Sequence, residues 1–348
     1  MSAKANASKV ASKPSFNFDF TSIVRRPEFG ALIGAVAVFI FFSIAGGSGF
    51  TDAGGWASWL NVASEVGIIA LPVALVMIAG DLDLSVGSTL AASSMTMAIL
   101  SGFFGLPTWV GVIAALLFGL LVGWLNGYLV TKTNLPSFVV TLASMFIIMG
   151  ATLGTTRLIV GSTSVSMTAD PFFQTIFGNL IFDLFETAVA WWAVIATVVS
   201  WVLYKSIFGN WIYAIGGDMT SARATGIPVN KVRIALFMGS GFGAALVGVI
   251  QTCIYNRAQV AAGQSFVFNS IIAVVVGGVL LTGGYGSTLG VILGTVTFGI
   301  VNQGIYYTGW DADWAALILG LLLLAAVLTN NTFRRLALSG GKKEKKND

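Results

Sequence analysis

The chain has 348 residues, of which 56% are hydrophobic and 9% charged, with a mean hydropathy of +0.88 and a formal net charge of +4. An average soluble domain is about 25% charged, so this composition excludes one or two soluble domains and implies a chain that lives in a bilayer. The absence of histidine removes imidazole metal sites, Ser-His and Cys-His nucleophile pairs and histidine proton relays, and a single cysteine, Cys253, rules out an internal disulfide or a paired-thiolate metal site.

In chain order, residues 1–28 are polar and carry Lys4, Lys9, Lys13, Arg25 and Arg26. They lack a small-residue cleavage site after a short apolar core and are expected to be a retained cytoplasmic tail. Apolar runs then recur at 29–46, 61–79, 84–104, 107–130, 137–160, 187–208, 232–255, 269–282, 287–307 and 314–330. These predict an all-α membrane protein of about ten transmembrane helices over 29–333, followed by a basic cytoplasmic tail over 334–348. The eighth run is too short to cross about 30 Å and ends in TGGYGS, the mark of a short or broken helix.

Placing both termini in the cytoplasm puts sixteen of the eighteen basic residues inside, including Lys132, Lys205, Arg223, Lys231, Arg233, Arg334 and Arg335. Only Arg157 and Arg257 fall outside, where Asp52, Asp170, Asp183, Glu186, Asp311 and Asp313 also collect. A faint internal echo, LNG at 125–127 against VNQG at 301–304, falls on spans of opposite direction, as an inverted-topology repeat requires.

The stretch GDLDLSVGS, 80–88, sets two carboxylates among apolar neighbours. At the expected turn between the second and third spans they would escape the roughly 2.5–3.5 kcal/mol cost of a charge at the bilayer centre. There Asp83 and Ser85 could cap the next helix; a gating role, or contact with a cytoplasmic partner, is equally compatible with the pattern. The chain has no GxxxxGK[ST] loop and no GxGxxG after a soluble strand, so if transport uses nucleotide, another subunit must bind it.

These residues carry a resemblance. GDLDLSVGS resembles the GGIDLSVGS signature of permease subunits of bacterial ABC importers for simple sugars, the ribose, xylose, arabinose and galactose type. AIGGDMTSARATGIPVNKVR, 214–233, looks like that family's cytoplasmic loop, and VVGGVLLTGGYGS, 275–287, is similar to its GG-x-SLxGGxGS segment. One departure stands out: the family's acidic ELDAIAAV stretch is replaced by FVFNSIIAV, 266–274.

The resemblance implies a type II importer-like fold in a bacterial inner membrane, a translocation pathway for a monosaccharide or polyol, and no cofactor, catalytic residue or metal of its own. It implies partners as well: an ATP-binding subunit, a periplasmic sugar-binding protein, and a second copy of the permease in a homodimer or else a sister permease. Membrane lipid surrounds the complex and nucleic acid plays no part. In this reading Gly217, Asp218, Ala222, Arg223, Gly226 and Ile227 form a coupling loop against the ATPase, the bland alternative being a solvated loop. Asp81, Asp83, Ser85, Gly87 and Ser88 form the signature turn.

Arg157 and Arg257 either snorkel at the interface or meet acids of the binding protein. Glu65, Asn126, Asn302 and Gln303 are candidate pathway residues, because uncharged sugars are handled by hydrogen bonds, although helix-packing hydrogen bonds would use the same residue types. A stand-alone secondary carrier or channel is the competing class, with Glu65, expected near the outer end of its span, almost its sole titratable candidate.

Overall fold

The computed structural model describes residues 27–311 and 313–340. Lys4, Lys9, Lys13, Arg25 and Arg26, and the lysines at 342, 343, 345 and 346, lie outside the described residues. Within them the chain is an all-α bundle: α1 (Pro27–Ala45), α2 (Ala53–Ile78), α3 (Val86–Met97, continued by a π-helical Ala98–Phe103), α4 (Thr108–Thr133), α5 (Ser137–Val160), α6 (Thr187–Lys205), α7 (Ile207–Gly217), α8 (Met219–Ala224), α9 (Val229–Tyr255), α10 (Gln264–Val276), α11 (Thr288–Tyr307) and α12 (Trp314–Gly340). Eight of these segments are long and apolar enough to cross a membrane, and α10 and the first part of α12 are shorter apolar helices, together matching the ten expected runs.

Local chemistry sets the boundaries and explains where they differ from expectation. Asp52 accepts from the Gly55 N–H at 2.7 Å and starts α2 at Ala53, well before the expected 61, which places Glu65 at the helix midpoint instead of near its end. Ser206 accepts from Gly209 N–H and splits the expected sixth run, so α7 is a separate helix whose Ile212 and Ile215 are buried. Gly277 and Gly278 (φ +89°) stop α10 after 13 residues, about 20 Å, so the short helix is real but lies further toward the N-terminus than expected. α12 runs on to Gly340, which puts Arg334 and Arg335 on a helix.

The packing repeats. α9 lies along α4 as α2 lies along α11, α3 packs on α4 as α10 packs on α11, and α2 and α9 meet each other. Glycines set the closest approaches, as expected where hydrophobicity supplies no drive between helices. A Cβ on Gly123 would stand 2.7 Å from the Met238 Cα, one on Gly127 2.7 Å from the Ile234 Cα, and Gly241 faces Gly119. The first turns of α3 and α10 touch at Gly87 and Gly263, so these two helices start against one another inside the bundle.

Two ends result. One carries the connections at 79–85, 134–136, 206–228 and 277–287; the other carries β1 (Ser164–Ser166) paired antiparallel with β4 (Arg257–Gln259), and the hairpin of β2 (Leu180–Ile181) and β3 (Phe185–Glu186).

Gly241→Ala should cost about 1–3 kcal/mol by overpacking the α4–α9 crossing, whereas Gly239→Ala, with no atom within 4 Å of the added Cβ, should cost nothing. Fluorescence-detected size-exclusion melting of the two variants checks this.

Candidate functional site

The three stretches that stand out in the sequence are far apart in the chain and meet at one end of the bundle. Gly284 donates its N–H to the Ile78 carbonyl at 2.8 Å, and a Cβ on Gly283 would stand 2.8 Å from the Gly80 Cα. Gly80, Gly283 and Gly284 all have φ between +75° and +88°, where side chains strain the backbone, and Gly216 is wedged between Ile78 and Gly284. Tyr213 on α7 donates its hydroxyl to the Gly286 carbonyl at 2.8 Å.

From this end the connection between α2 and α3 runs into the bundle. Asp81 receives a bidentate pair from Arg233, Nη2 to Oδ1 at 2.6 Å and Nε to Oδ2 at 2.7 Å, with both residues buried. Asp83 is 1% exposed; its Oδ1 accepts from the Ser85 N–H at 3.0 Å and the Ser85 hydroxyl at 2.7 Å, and its Oδ2 accepts from Ser240 Oγ at 2.7 Å. Asn126 Nδ2 donates to Ser85 Oγ at 2.8 Å and its Oδ1 accepts from Ser144, which extends the network to α4 and α5. The Leu82 backbone is satisfied by side chains of α5, its N–H by Ser137 Oγ at 3.0 Å and its carbonyl by Thr141 Oγ1 at 3.2 Å.

This corrects the expected surface turn. Ser240 lies eleven residues into α9, about 16 Å along its axis, so Asp83 sits deep in the bundle. Its carboxylate is met by donors of the protein. Ser85 occupies the N-cap position of α3 but makes no side-chain cap bond, its hydroxyl being given to Asp83.

The adjoining segment is ordered by its own contacts. Asp218 caps α8 by accepting from the Ser221 N–H at 2.6 Å, and that bond holds its carboxyl below the usual carboxylate range. Gly217, Asp218, Arg223 and Gly226 are exposed, with Gly226 at φ +86°, whereas Ala222 is buried and Ile227 packs on the core. Four of the six expected coupling residues therefore face outward and two hold the segment to its own chain. Arg223 Nη2 donates to Asn230 on the first turn of α9 at 3.2 Å.

The four expected pathway residues are not brought together. Glu65 accepts from Gln251 Nε2 at 2.9 Å, with Oε1 lacking a partner among the described residues. Asn126 belongs to the Asp83 network, and Asn302 and Gln303 bond to each other at 3.0 Å. None of the four lines the cavity of about 330 Å³ bounded by α3 (Gly87, Ser88, Ala91), α5 (Met145, Phe146, Met149, Thr152) and the start of α10 (Gln264, Val267, Phe268), with Val260 beside it. The spacing of Met145, Met149 and Thr152 on one helical face was the available signal, but nothing in sequence tells a cavity face from a lipid face. Arg157 and Arg257 are both exposed at the opposite end, and Arg257 pairs across the strands with Ser166. Among the described residues no three of His, Cys, Asp and Glu come close enough to hold a metal.

Residues 55–327 match the family described as branched-chain amino acid transport system, permease component. The chain belongs to this family. The permease chain is 31% identical over 311 residues to the fructose import permease protein FrcC of Rhizobium meliloti, covering 88% of this chain and 86% of that one. It is 32% identical over 273 residues to the ribose import permease protein RbsC of Escherichia coli K12 (78% and 84% covered), and 27% identical over 352 residues to the xylose transport system permease protein XylH of Haemophilus influenzae (85% and 94%). No solved structure matches the permease chain.

Cysteines placed at Met149 and Gln264 should react with a soluble maleimide on the order of tenfold faster than the native Cys253, which is buried and out of the reagent's reach. Labelling rates in membrane vesicles measure this.

Proposed function

We propose that the chain is the membrane-spanning permease of an ATP-driven importer, forming a pathway for a monosaccharide or related polyol delivered by a periplasmic binding protein. The observation that carries this reading is the convergence of three motif stretches on one end of a chain without a phosphate-binding loop. A bundle with no means of hydrolysing ATP needs a surface that another subunit can push. The exposed Gly217, Asp218, Arg223 and Gly226 beside that convergence offer small side chains and two charges for such docking.

The convergent end is then cytoplasmic, and the two termini with it, in accord with the basic residues at 132, 205, 223, 231 and 233. The opposite end faces the periplasm, where Arg157 and Arg257 meet acidic residues of the binding protein. The cavity between α3, α5 and α10 forms part of the pathway. The large apolar residues exposed along α5, among them Phe138, Phe146 and Ile147, face a second permease, in a homodimer or with a sister chain. Selectivity resides mainly in the binding protein, which is why two methionines, two phenylalanines and only Ser88, Thr152 and Gln264 as polar groups suffice around the cavity. Fructose, ribose and xylose, the sugars for which the relatives are named, define the class to test first.

Reconstituted vesicles should take up sugar only with ATP, the ATP-binding subunit and the binding protein together; accumulation by the solitary chain would defeat the reading. Gly217→Trp, where the new side chain enters open space, should leave melting of the permease unchanged and abolish co-purification of the ATPase. Met149→Trp should fill the cavity and lower uptake while ATP hydrolysis persists.

A further inference from the structure

We propose that the buried 81–85 segment is the joint that carries movement of the cytoplasmic loop to the wall of the cavity, with Arg233 and Ser240 as the positioning residues that grip it. The proposal rests on the permease reading above and adds to it the route from the ATPase to the pathway. Energetic coupling between distant sites travels through packed elements and hydrogen-bonded networks that have more than one arrangement.

The first link is the loop to α9. Ile227 and Val229 are joined by a backbone hydrogen bond, Arg223 is bonded to Asn230, and Ala222 is buried, so a push on the loop is delivered to the first turn of α9. The second link is α9 to the segment. Arg233 holds Asp81 by two hydrogen bonds, and Ser240, about two turns further on, holds Asp83. Two carboxylates two residues apart are thus gripped by one helix at two heights, which fixes both the position and the direction of the strand of chain between them.

The third link is the segment to the cavity. Asp83 is bonded to Ser85, Val86 opens α3 directly after it, and Gly87 and Ser88 form part of the cavity wall. Gly87 also lies against Gly263, immediately before α10, so a shift of the first turn of α3 bears on the other helix that starts at the cavity. Among the described residues only hydroxyls and the Ser85 N–H meet the Asp83 carboxylate, and Asn126 is bonded in turn to Ser85 and Ser144. Hydroxyl rotors can re-aim without breaking a charge pair, a property suited to a contact that must hold in two arrangements.

The test uses the assembled complex with its ATPase in proteoliposomes, supplied with the binding protein and sugar, with Ser88→Cys as reporter; native Cys253 is fully buried. With the native joint, a non-hydrolysable ATP analogue should change the maleimide labelling rate at Ser88→Cys. Ser240→Ala should leave ATP binding and hydrolysis by the complex near native, while the labelling response and sugar uptake fall between about twofold and thirtyfold. Ser240→Thr, which keeps the hydroxyl, should restore both. Exchanging the partners by Asp81→Arg with Arg233→Asp should recover more uptake than either substitution alone.

Unchanged labelling response and uptake in Ser240→Ala would overturn the joint. So would losses of hydrolysis, response and uptake in proportion to the amount of complex assembled, since that is the mark of a contact needed only for folding. A native complex without any nucleotide response or ATP-driven uptake would overturn the permease reading and the joint with it, a pattern distinct from either of those.

Discussion

The burial of Asp81 and Asp83 constrains much of the permease's architecture. A carboxylate inside a bundle of apolar helices is tolerated only when the protein supplies what water would have supplied. Asp81 obtains a guanidinium from α9, and Asp83 obtains two hydroxyls and a backbone N–H. Those donors come from the first half of α9 and from the start of α3, so meeting the demand of two side chains fixes how α2, α3 and α9 lie together. Removing one partner of such a buried pair commonly costs about 3–5 kcal/mol, because the other charge is left without company, while the intact pair contributes far less. Its worth is in specifying one arrangement.

Glycine provides the other half of the architecture. Without a hydrophobic drive between helices, contact depends on backbones approaching until dispersion and weak polar interactions accumulate. α4 and α9 achieve this through Gly119, Gly123, Gly127 and Gly241, and the end where the motif stretches converge through Gly80, Gly216, Gly283 and Gly284. The two devices meet. The glycine cluster brings the three motif stretches close enough for Arg233 to reach Asp81, and the ion pair leads the chain from that cluster toward the cavity.

Much of this was legible in residues alone. The apolar runs gave the ten segments, the shortness of the eighth run anticipated the broken α10, and the motifs pointed to the family to which the chain belongs. The failures have physical causes. The split at Ser206 and the early start of α2 come from single capping side chains, which a hydropathy window averages away. The Asp81–Asp83 turn read as surface because charged residues between apolar runs normally are; the compensating Arg233 lies 152 positions away in the sequence. The partners of Asn126, Ser85 and Ser144, were hidden in the same way, being distant in the chain.

The sequence by itself determined the solvent of this protein, the number of its apolar segments, the lack of a phosphate-binding loop and the family, because composition, run length and local motifs are properties of contiguous residues. Only the tertiary structure decided that the three motif stretches form one place, that the carboxylates are internal, and that a cavity is lined by α3, α5 and α10. Those facts depend on which helix faces encounter one another, and helix-to-helix register is set by glycine contacts and buried hydrogen bonds between residues distant in the chain.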